Sequence, residues 1–212
     1  MQRVEVIGSA EVGQALAEGF KKYGYPVRIG SRTPAKLADF SRKAGIEAGS
    51  LEEVAAWGEI LVLAVKGTIA EGLVNRLGSN IDGKVIIDTT NPIAEAPPTD
   101  GVLSFFTGPN DSLLERLQGP HPSARFVKAW NSVGSARMVD PVFSDGRPTM
   151  FLCGNDAAAR KTVAAILDQF GWEPADMGAA VAARAIEPLA ILWCIPGFRE
   201  NKWSHAFKVL WK

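Results

Sequence analysis

The stretch Val4–Phe20, VEVIGSAEVGQALAEGF, decides the fold. It begins with the short run Val4–Ile7, which is typical of a buried strand. Further on, Val12, Leu16 and Phe20 recur at helical spacing. Between them, GSAEVG fills the dinucleotide-binding pattern G-x-G-x-x-G with alanine at the middle position. A strand, a tight turn and a helix in this order predict a nucleotide-binding α/β unit.

Each position of this turn has a physical role in the predicted site. The first glycine permits a tight turn, the last lets helix and strand pack closely, and the helix N-terminus offers N–H groups to a pyrophosphate. The alternative interpretation is an ordinary strand-to-helix turn; the position directly after the first strand favours nucleotide binding. The candidate residues are Gly8, Ser9, Ala10, Glu11, Val12 and Gly13.

A second stretch, RIGSRTPAK, follows the predicted strand Val27–Ile29 and selects the nucleotide. A carboxylate that binds ribose is expected about 20 residues after the glycine-rich turn, and Arg32 stands there instead. Its guanidinium can bind a 2′-phosphate in bidentate fashion. Ser31 and Thr33 can donate hydrogen bonds, and Lys36 adds a second cation. The pattern favours NADP over NAD; the alternative is a capped helix with solvated basic residues.

Further apolar runs alternate with helical patterns along the chain. They occur at Ile60–Val65, Val85–Ile87, Arg125–Lys128 and Met150–Cys153. This alternation predicts a Rossmann-type, doubly wound, mainly parallel sheet, whose ligands bind beyond the carboxyl ends of the strands. The remaining candidate residues follow these strands, and Asn131 among them can pair with a carboxamide. They are Ala64, Val65, Lys66, Asn91, Pro92, Ala129 and Asn131.

The second half of the chain is less regular. The segment Thr89–Gly108, rich in Pro, Gly and Thr, predicts a long functional loop. A helix is predicted at Ala157–Phe170 after an Asn-Asp cap. The apolar segment Ala179–Trp193 predicts a helix broken near Glu187 by Pro188 and stopped by Pro-Gly at 196–197. We expect an NADP-binding domain at residues 1–155 and a helical extension at 156–212 packed on it.

Composition excludes several classes of partner and site. The 212 residues carry 23 basic and 23 acidic side chains, so a nucleic-acid partner is not expected. The N-terminus lacks a signal pattern and no apolar run approaches a membrane span, which predicts a cytoplasmic protein without a membrane partner. Cys153 and Cys194 are expected to be free thiols. No metal site is expected, since the two cysteines and two histidines lack ligand spacing.

No proton donor for a carbonyl substrate is evident. Tyr23 and Tyr25 lie in the first helix-to-strand turn, and neither has a lysine four residues later. His121 follows a proline in a loop and His205 lies in the tail. Hydride transfer to a flavin-like ring needs no such acid, because the ring delocalises the charge. We therefore assign no catalytic side chain and expect a planar small-molecule acceptor.

Six motifs together resemble the NADPH-dependent deazaflavin (coenzyme F-420) reductase family, and the chain is also similar to the reductase domain of six-transmembrane ferric reductases. They are GSAEVGQALA, GSRT, DTTNP, VKAWNSVGS, FLCGND and GWEPADMGAAVAARAIEPLAILW. The resemblance implies that Ser9 to Val12 form the phosphate turn and that Ser31, Arg32 and Lys36 hold the 2′-phosphate.

The same resemblance implies the position of the acceptor. Val65, Asn91 and Ala129 would border the adenosine and nicotinamide parts of the cofactor. The acceptor, a flavin or deazaflavin, would stack on the nicotinamide. The loop after Pro92 and the helix Ala179–Trp193 would cover it. Trp130 is bulkier than the family's usual phenylalanine and would either pack in the core or narrow this site.

The sequence thus predicts an NADP(H)-dependent oxidoreductase. A non-catalytic NADP(H)-binding sensor or subunit is the alternative, and a hydroxyacid dehydrogenase ranks third because little chain remains for its second domain. In the tail, Trp203, Phe207 and Trp211 recur every four residues and predict an aromatic helical stripe. Packing on its own domain and a homodimer interface are equally weighted roles for this stripe, and a homodimer is expected.

Overall fold

The computed structural model describes residues 1–210, and a six-stranded parallel sheet forms its centre. In chain order the strands are β1 (Val4–Ile7), β2 (Val27–Gly30), β3 (Glu47–Gly49), β4 (Ile60–Leu63), β5 (Val85–Asp88) and β6 (Arg125–Lys128). They are arranged as β3-β2-β1-β4-β5-β6. The strand order reverses beside β1, whose Val4 pairs with Val27 on one side and Ile60 on the other. The predicted doubly wound Rossmann fold is confirmed.

Helices pack on both faces of the sheet and form two hydrophobic clusters. One cluster includes Leu16 and Phe20 of α1, and the other includes Val54 of α3 and Val74 of α4. Strands β1, β4 and β5 are buried along their whole length because helices cover both faces of the sheet. The helices are α1 (Glu11–Lys22), α2 (Ala38–Ala44), α3 (Leu51–Trp57), α4 (Gly67–Leu77), α5 (Leu113–Gln118), α6 (Ala157–Gln169), α7 (Ala183–Ile186) and α8 (Leu189–Glu200).

Side chains cap helices α3 and α6, the latter at the predicted Asn-Asp cap. Ser50 and Glu53 form a reciprocal capping box at α3, and the carboxylate of Asp156 accepts a hydrogen bond from Ala159 N at 2.7 Å. The expected cap at Thr33 is wrong. A 3-10 turn, Pro34–Leu37, comes before α2, and the Thr33 hydroxyl caps neither. Instead the Thr33 N–H donates to Ser31 Oγ at 3.1 Å.

Two short strands were not expected from the sequence. Strand β3 lies at the edge of the main sheet, and β8 (Glu173–Asp176) pairs in parallel with β7 (Thr149–Leu152) in a separate two-stranded sheet. Both are polar and only three or four residues long, so they lack an apolar signal. The pair β7-β8 joins segments on either side of residue 155. The division at that residue stays a prediction.

The C-terminal helix breaks where expected and ends later than expected. Pro188 separates α7 from α8, but α8 continues through Pro196 to Glu200. Trp203 packs on Gly197, where an added Cβ would lie 2.3 Å from the indole ring, and the Trp193 ring lies 5.7 Å from that of Trp203. This packing outweighs the local penalty of an internal proline.

The aromatic stripe predicted for the tail is wrong within the described residues. Residues 201–210 form no helix, and Trp211 lies outside the described part of the chain. The tail is instead extended along its own domain. Thr149 N donates to Phe207 O at 2.8 Å, and Val209 N donates to Thr149 Oγ1 at 3.0 Å. The backbone bonds to β7 therefore determine the tail's path.

Among residues 1–210, one helical segment is long and apolar enough to cross a membrane. The segment Ala180–Glu200 meets that test by length and composition, with a third of it buried in the protein. The expectation that no apolar run approaches this length is wrong. A core helix of a soluble protein meets the same test, so the observation is weak evidence for a membrane span.

A buried carboxyl group lies toward the amino edge of the sheet. Glu5 in β1 has no exposed surface, accepts a hydrogen bond from Gly58 N at 2.7 Å and lies 3.1 Å from Lys84 Nζ. Burial raises the pKa of Glu5 to about 7, although the neighbouring Lys84 lowers it in part. This edge is opposite the carboxyl ends of the strands.

Candidate functional site

A cleft of about 570 Å³ opens at the carboxyl edge of the sheet. It lies beyond the ends of β1, β2 and β4, and α4 forms one wall. Parallel strands bring these segments together although they are far apart in sequence. Ten of the predicted site residues line the cleft: Gly8, Ser9, Ala10, Ser31, Arg32, Thr33, Lys36, Ala64, Val65 and Lys66.

The glycine-rich turn has the geometry that its pattern predicts. Gly8 has φ of +141°, and a Cβ there would lie 2.0 Å from Ala64 O. At Gly13 a Cβ would lie 2.1 Å from Gly8 O. Neither position can therefore accept a side chain without moving the backbone.

The helix that follows leaves its first turn available. Ala10 precedes α1 and makes no side-chain capping bond, so the first N–H groups have no side-chain acceptor at the cap position. Ala10 lines the cleft, whereas Glu11, Val12 and Gly13 lie behind it in the first turn. An anion bound here would interact with backbone N–H groups and the positive end of the helix.

The segment after β2 presents hydroxyls and cations to the cleft. Ser31 is 7% exposed, and its Oγ accepts the Thr33 N–H, which fixes the turn. Arg32 and Lys36 are exposed, and among residues 1–210 neither forms an ion pair. No carboxylate lines this part of the cleft. The arrangement fits a phosphate on the ribose more closely than a free 2′-hydroxyl.

The cleft as a whole has an excess of positive charge. Arg32, Lys36, Lys66 and Arg76 line it, and no Asp or Glu does, although the chain has no net charge. Arg76 is paired with Glu52 at 2.6 Å, and both side chains are about half exposed. The sequence analysis missed Arg76 because it is at the end of a helix, where a basic residue is ordinary.

Helix α4 presents one continuous face to the cleft. Ile69, Gly72, Leu73 and Arg76 line it at spacings of three, one and three residues, which is one side of a helix. Ile69 is 41% exposed. A Cβ at Gly72 would meet no atom within 4 Å. Gly72 therefore has no close contact that requires glycine, and its side of the cleft is open.

The other half of the carboxyl edge lies outside this cleft. Asn91 Nδ2 donates to Asn131 O at 2.7 Å, and Asn131 Nδ2 donates to Asn91 Oδ1 at 3.2 Å and to Ile186 O at 2.9 Å. Pro92 and Ala129 are buried. The amide of Asn91 and the Nδ2 of Asn131 are thus used within the protein, whereas Asn131 Oδ1 is buried without a hydrogen-bond partner in the described part of the chain. The expected pairing of Asn131 with a carboxamide stays a prediction.

Trp130 packs in the core. Its indole N–H donates to Met138 O at 3.1 Å, and its ring lies 5.5 Å from Phe170 and 6.4 Å from Phe20. It is 1% exposed. Of the two roles left open for this residue, the structure supports packing.

The loop that begins at Pro92 contacts the C-terminal helix. Ile93 pairs with Phe105 through an isolated antiparallel bridge, which folds the loop back on itself. Gly101 has φ of +84°, and a Cβ there would lie 3.3 Å from Ile195 O of α8 and 2.8 Å from the Arg199 side chain. The two segments expected to cover an acceptor are therefore in contact.

Neither histidine nor either tyrosine lines the cleft. Tyr23 donates its hydroxyl to Asp140, and Tyr25 donates to Gln169 at 3.0 Å. His121 hydrogen-bonds to Asn75 at 2.9 Å, and the His205 ring stacks on Trp193 at 5.1 Å. Among residues 1–210, no group of three or more His, Cys, Asp or Glu side chains could hold a metal ion. The geometry thus offers nucleotide binding, and among residues 1–210 no His, Tyr, Asp or Glu side chain lines the cleft.

The fold and the cleft define a dinucleotide-binding α/β protein, and comparison with known proteins agrees with this class. Residues 3–92 match the family model described as NADP oxidoreductase, coenzyme F420-dependent. This range contains β1 to β5 and every residue that lines the cleft. The resemblance stated from the sequence motifs is confirmed.

Individual relatives extend the similarity along the chain. The rat metalloreductase STEAP3 is 27% identical over 198 residues, which is 92% of this chain and 38% of the relative. Human metalloreductase STEAP2 is 27% identical over 89% of this chain and 36% of its own length. The chain therefore spans less than two fifths of these curated relatives.

Two solved structures have the same architecture. A candidate F420-dependent NADP reductase from Arthrobacter sp. FB24 is 29% identical, with a TM-score of 0.92 over 99% of this chain and 100% of that one. A hypothetical protein, SMa0349 from Sinorhizobium meliloti, is 27% identical, with a TM-score of 0.74 over 86% of this chain and 87% of its own. The similarity to the first includes the C-terminal helices as well as the nucleotide-binding half.

Proposed function

We propose that this protein transfers hydride between NADP(H) and a planar acceptor such as a flavin or deazaflavin. The single observation that carries the proposal is the cleft beyond β1, β2 and β4, which four cations and no acid line. NADP(H) is an anion with three phosphate groups, and a cleft of this charge and position matches it.

The cofactor's orientation follows from the same residues. The pyrophosphate would lie over Gly8–Val12, against the first turn of α1. The 2′-phosphate would lie between Ser31, Arg32 and Lys36. The adenine would lie flat on α4 at Gly72, the one position on that face without a side chain. The nicotinamide half would then extend toward the ends of β5 and β6.

The identity of the acceptor is tested with a panel of redox compounds. One related structure is named for F420, and the curated relatives are named metalloreductases. Turnover of NADPH should be measured with coenzyme F420, FMN and a ferric chelate. Reduction of one of these supports the proposal, whereas binding of NADPH without consumption would favour a sensor or subunit.

The cofactor preference is tested by Arg32→Ala. Loss of a charge-assisted phosphate contact weakens binding by about ten- to a hundredfold. NADPH affinity should fall by that factor while NADH affinity stays unchanged. Arg42→Ala is the matched control, because Arg42 is exposed, pairs only with Asp39 and does not line the cleft. An unchanged NADPH/NADH preference in Arg32→Ala would show that Arg32 does not read the phosphate.

We also propose a cytoplasmic homodimer formed through the C-terminal helices. Val181, Leu192 and Phe198 are 52%, 54% and 47% exposed within one helical segment. Exposed apolar residues are candidates for an interface. The tail pairs with β7 of its own chain. We therefore assign the dimer interface to α8 instead of to the tail. Light scattering of the parent and of Leu192→Glu tests this: a monomeric parent contradicts the proposal.

A further inference from the structure

Three ionisable side chains are buried together below the carboxyl ends of β5 and β6. Lys128 Nζ lies 2.6 Å from Asp88 Oδ2 and 3.0 Å from Glu187 Oε1, and the side chains are 0%, 0% and 1% exposed. Nζ also donates to Thr90 O at 2.8 Å. The contact with Thr90 O has hydrogen-bond geometry, and the contacts with the two carboxylates are ion pairs. Burial alone would lower the pKa of Lys128, but the two carboxylates outweigh it and raise the pKa, so the lysine stays charged.

The two carboxylates are also satisfied by neighbouring segments. Asp88 Oδ1 accepts the N–H of Thr90 at 2.9 Å and its hydroxyl at 2.7 Å. The Glu187 carboxylate accepts Leu113 N and Leu114 N, each at 3.0 Å, at the start of α5. Lys128 therefore connects the loop after β5, the end of β6, the start of α5 and the break between α7 and α8.

A layer of amides lies directly beside this ionic cluster in sequence. Asn91 and Asn131 are each three residues beyond Asp88 and Lys128, and Ile186 comes just before Glu187. Asn131 bonds both Asn91 and Ile186 O. Two polar layers thus join the same three segments. The two layers share these segments, so a change in the inner layer would be passed to the outer one through the backbone.

Stability alone does not account for the cluster. An apolar trio of similar volume is often as stabilising as a buried ion cluster or more so. The ionic cluster occurs where the strand order places the nicotinamide half of a dinucleotide, at the ends of β5 and β6. It also fixes the break before α8, which contacts the loop at Gly101.

We infer that Lys128 is a positioning residue for the nicotinamide half of NADP(H). Through Asp88 it fixes the loop Thr89–Pro92, and through Glu187 it fixes the C-terminal helix. The distance between these two sides of the nicotinamide site is therefore kept constant. Lys128 does not touch the cofactor. The inference rests on the proposed function, because it requires that the cleft binds NADP(H).

The test compares two ligands, NADP⁺ and 2′,5′-ADP, which lacks the nicotinamide half. Both are titrated against the parent and Lys128→Met by calorimetry. Affinity for 2′,5′-ADP should stay within about twofold, and the advantage of NADP⁺ over 2′,5′-ADP should fall by about two- to thirtyfold. Lys84→Met is the matched control, since it breaks another buried lysine–carboxylate pair, with Glu5, at the opposite edge. Its ligand ratio should equal that of the parent.

A second variant covers the case in which Lys128→Met does not fold with two unpaired buried carboxylates. The triple variant Asp88→Asn, Lys128→Met, Glu187→Gln removes all three charges, and it should fold and still lose the NADP⁺ advantage. If the ratio of the NADP⁺ affinity to the 2′,5′-ADP affinity is unchanged in the folded Lys128 variants, the inference is overturned while the proposed function stands. The same holds if Lys84→Met changes this ratio by an equal amount. A parent that holds NADP⁺ no better than 2′,5′-ADP overturns it too. A parent that binds neither ligand overturns the proposed function itself.

Discussion

Substituting Gly72 tests where the adenine lies, independently of the phosphate contacts. Glycine inside a helix costs about 1 kcal/mol relative to alanine. Here no backbone angle or close neighbour requires it, because an added Cβ meets nothing within 4 Å. Gly72→Leu should therefore fold normally and place its side chain over the face formed with Ile69 and Leu73.

The magnitude follows from the surface that the base would cover. Ile69 leaves 41% of its surface exposed, which is on the order of 70 Å². At about 25 cal/mol per Å², covering that area contributes just under 2 kcal/mol, or about twentyfold in affinity. Gly72→Leu should lose at least this factor for NADPH, NADH and 2′,5′-ADP alike, because all three carry the adenine. Arg32→Ala should discriminate among them.

Two variants make the result decisive. Gly72→Ala should raise the melting temperature through its better helix propensity and bind NADPH nearly as well as the parent. Glu71→Leu places the same leucine on a neighbouring position that does not line the cleft, and it loses only a weak surface contact with Arg116 at 3.7 Å. Fluorescence titration of NADPH measures each. Parent-like affinity in Gly72→Leu would refute the adenine position.

Three further outcomes are expected. Single replacement of His121 or His205 by alanine should change turnover less than about tenfold, since an essential general acid contributes 10²–10⁴-fold; a thousandfold loss would contradict direct hydride transfer. Truncation after Glu200 removes the hydrogen bond between Thr149 N and Phe207 O, so the melting temperature should fall while light scattering still shows the parent's mass. Glu5 has a pKa of about 7 in the folded protein and near 4.5 when unfolded, so the folded state binds its proton more tightly. The free energy of unfolding should therefore decrease by about 3 kcal/mol as pH rises from 4.5 to 7. Urea titrations at pH 5 and 7.5 should show this decrease in the parent and not in Glu5→Gln.

The part of the site that sequence predicts best is the part built from short, local patterns. Gly8 and Gly13 are needed by contacts within one turn, and Arg32 is identified by its distance along the chain from that turn. In a regular β1-α1-β2 unit, a residue at this sequence separation from the turn lies at a fixed place beside the cleft. All three therefore occur in the structure where the pattern places them.

The rest of the site depends on segments that meet only in the folded chain. Gly72 and Arg76 look like ordinary helix residues, and their role is apparent only because α4 faces β2 across the cleft. The tail was wrongly predicted for a related reason. The spacing of Trp203 and Phe207 suits a helix, but the free backbone edge of Thr149 offers hydrogen bonds that an extended tail can use. Tertiary pairing overrides local periodicity in such a short segment.

The buried cluster at Lys128 shows the limit of sequence reasoning most clearly. A lysine at the end of a strand is expected to reach solvent, as Lys66 does after β4. Lys128 is buried because Asp88 comes from the next strand of the sheet and Glu187 from a helix break 59 residues further on. Each residue alone would be unfavourable in that environment, and only together are they stable. The C-terminal segment contributes Glu187, one of the two carboxylates at Lys128, and without it Lys128 keeps only Asp88. We therefore regard the two parts of the chain as one functional unit, in which the extension completes the edge of the sheet where we propose that the nicotinamide binds.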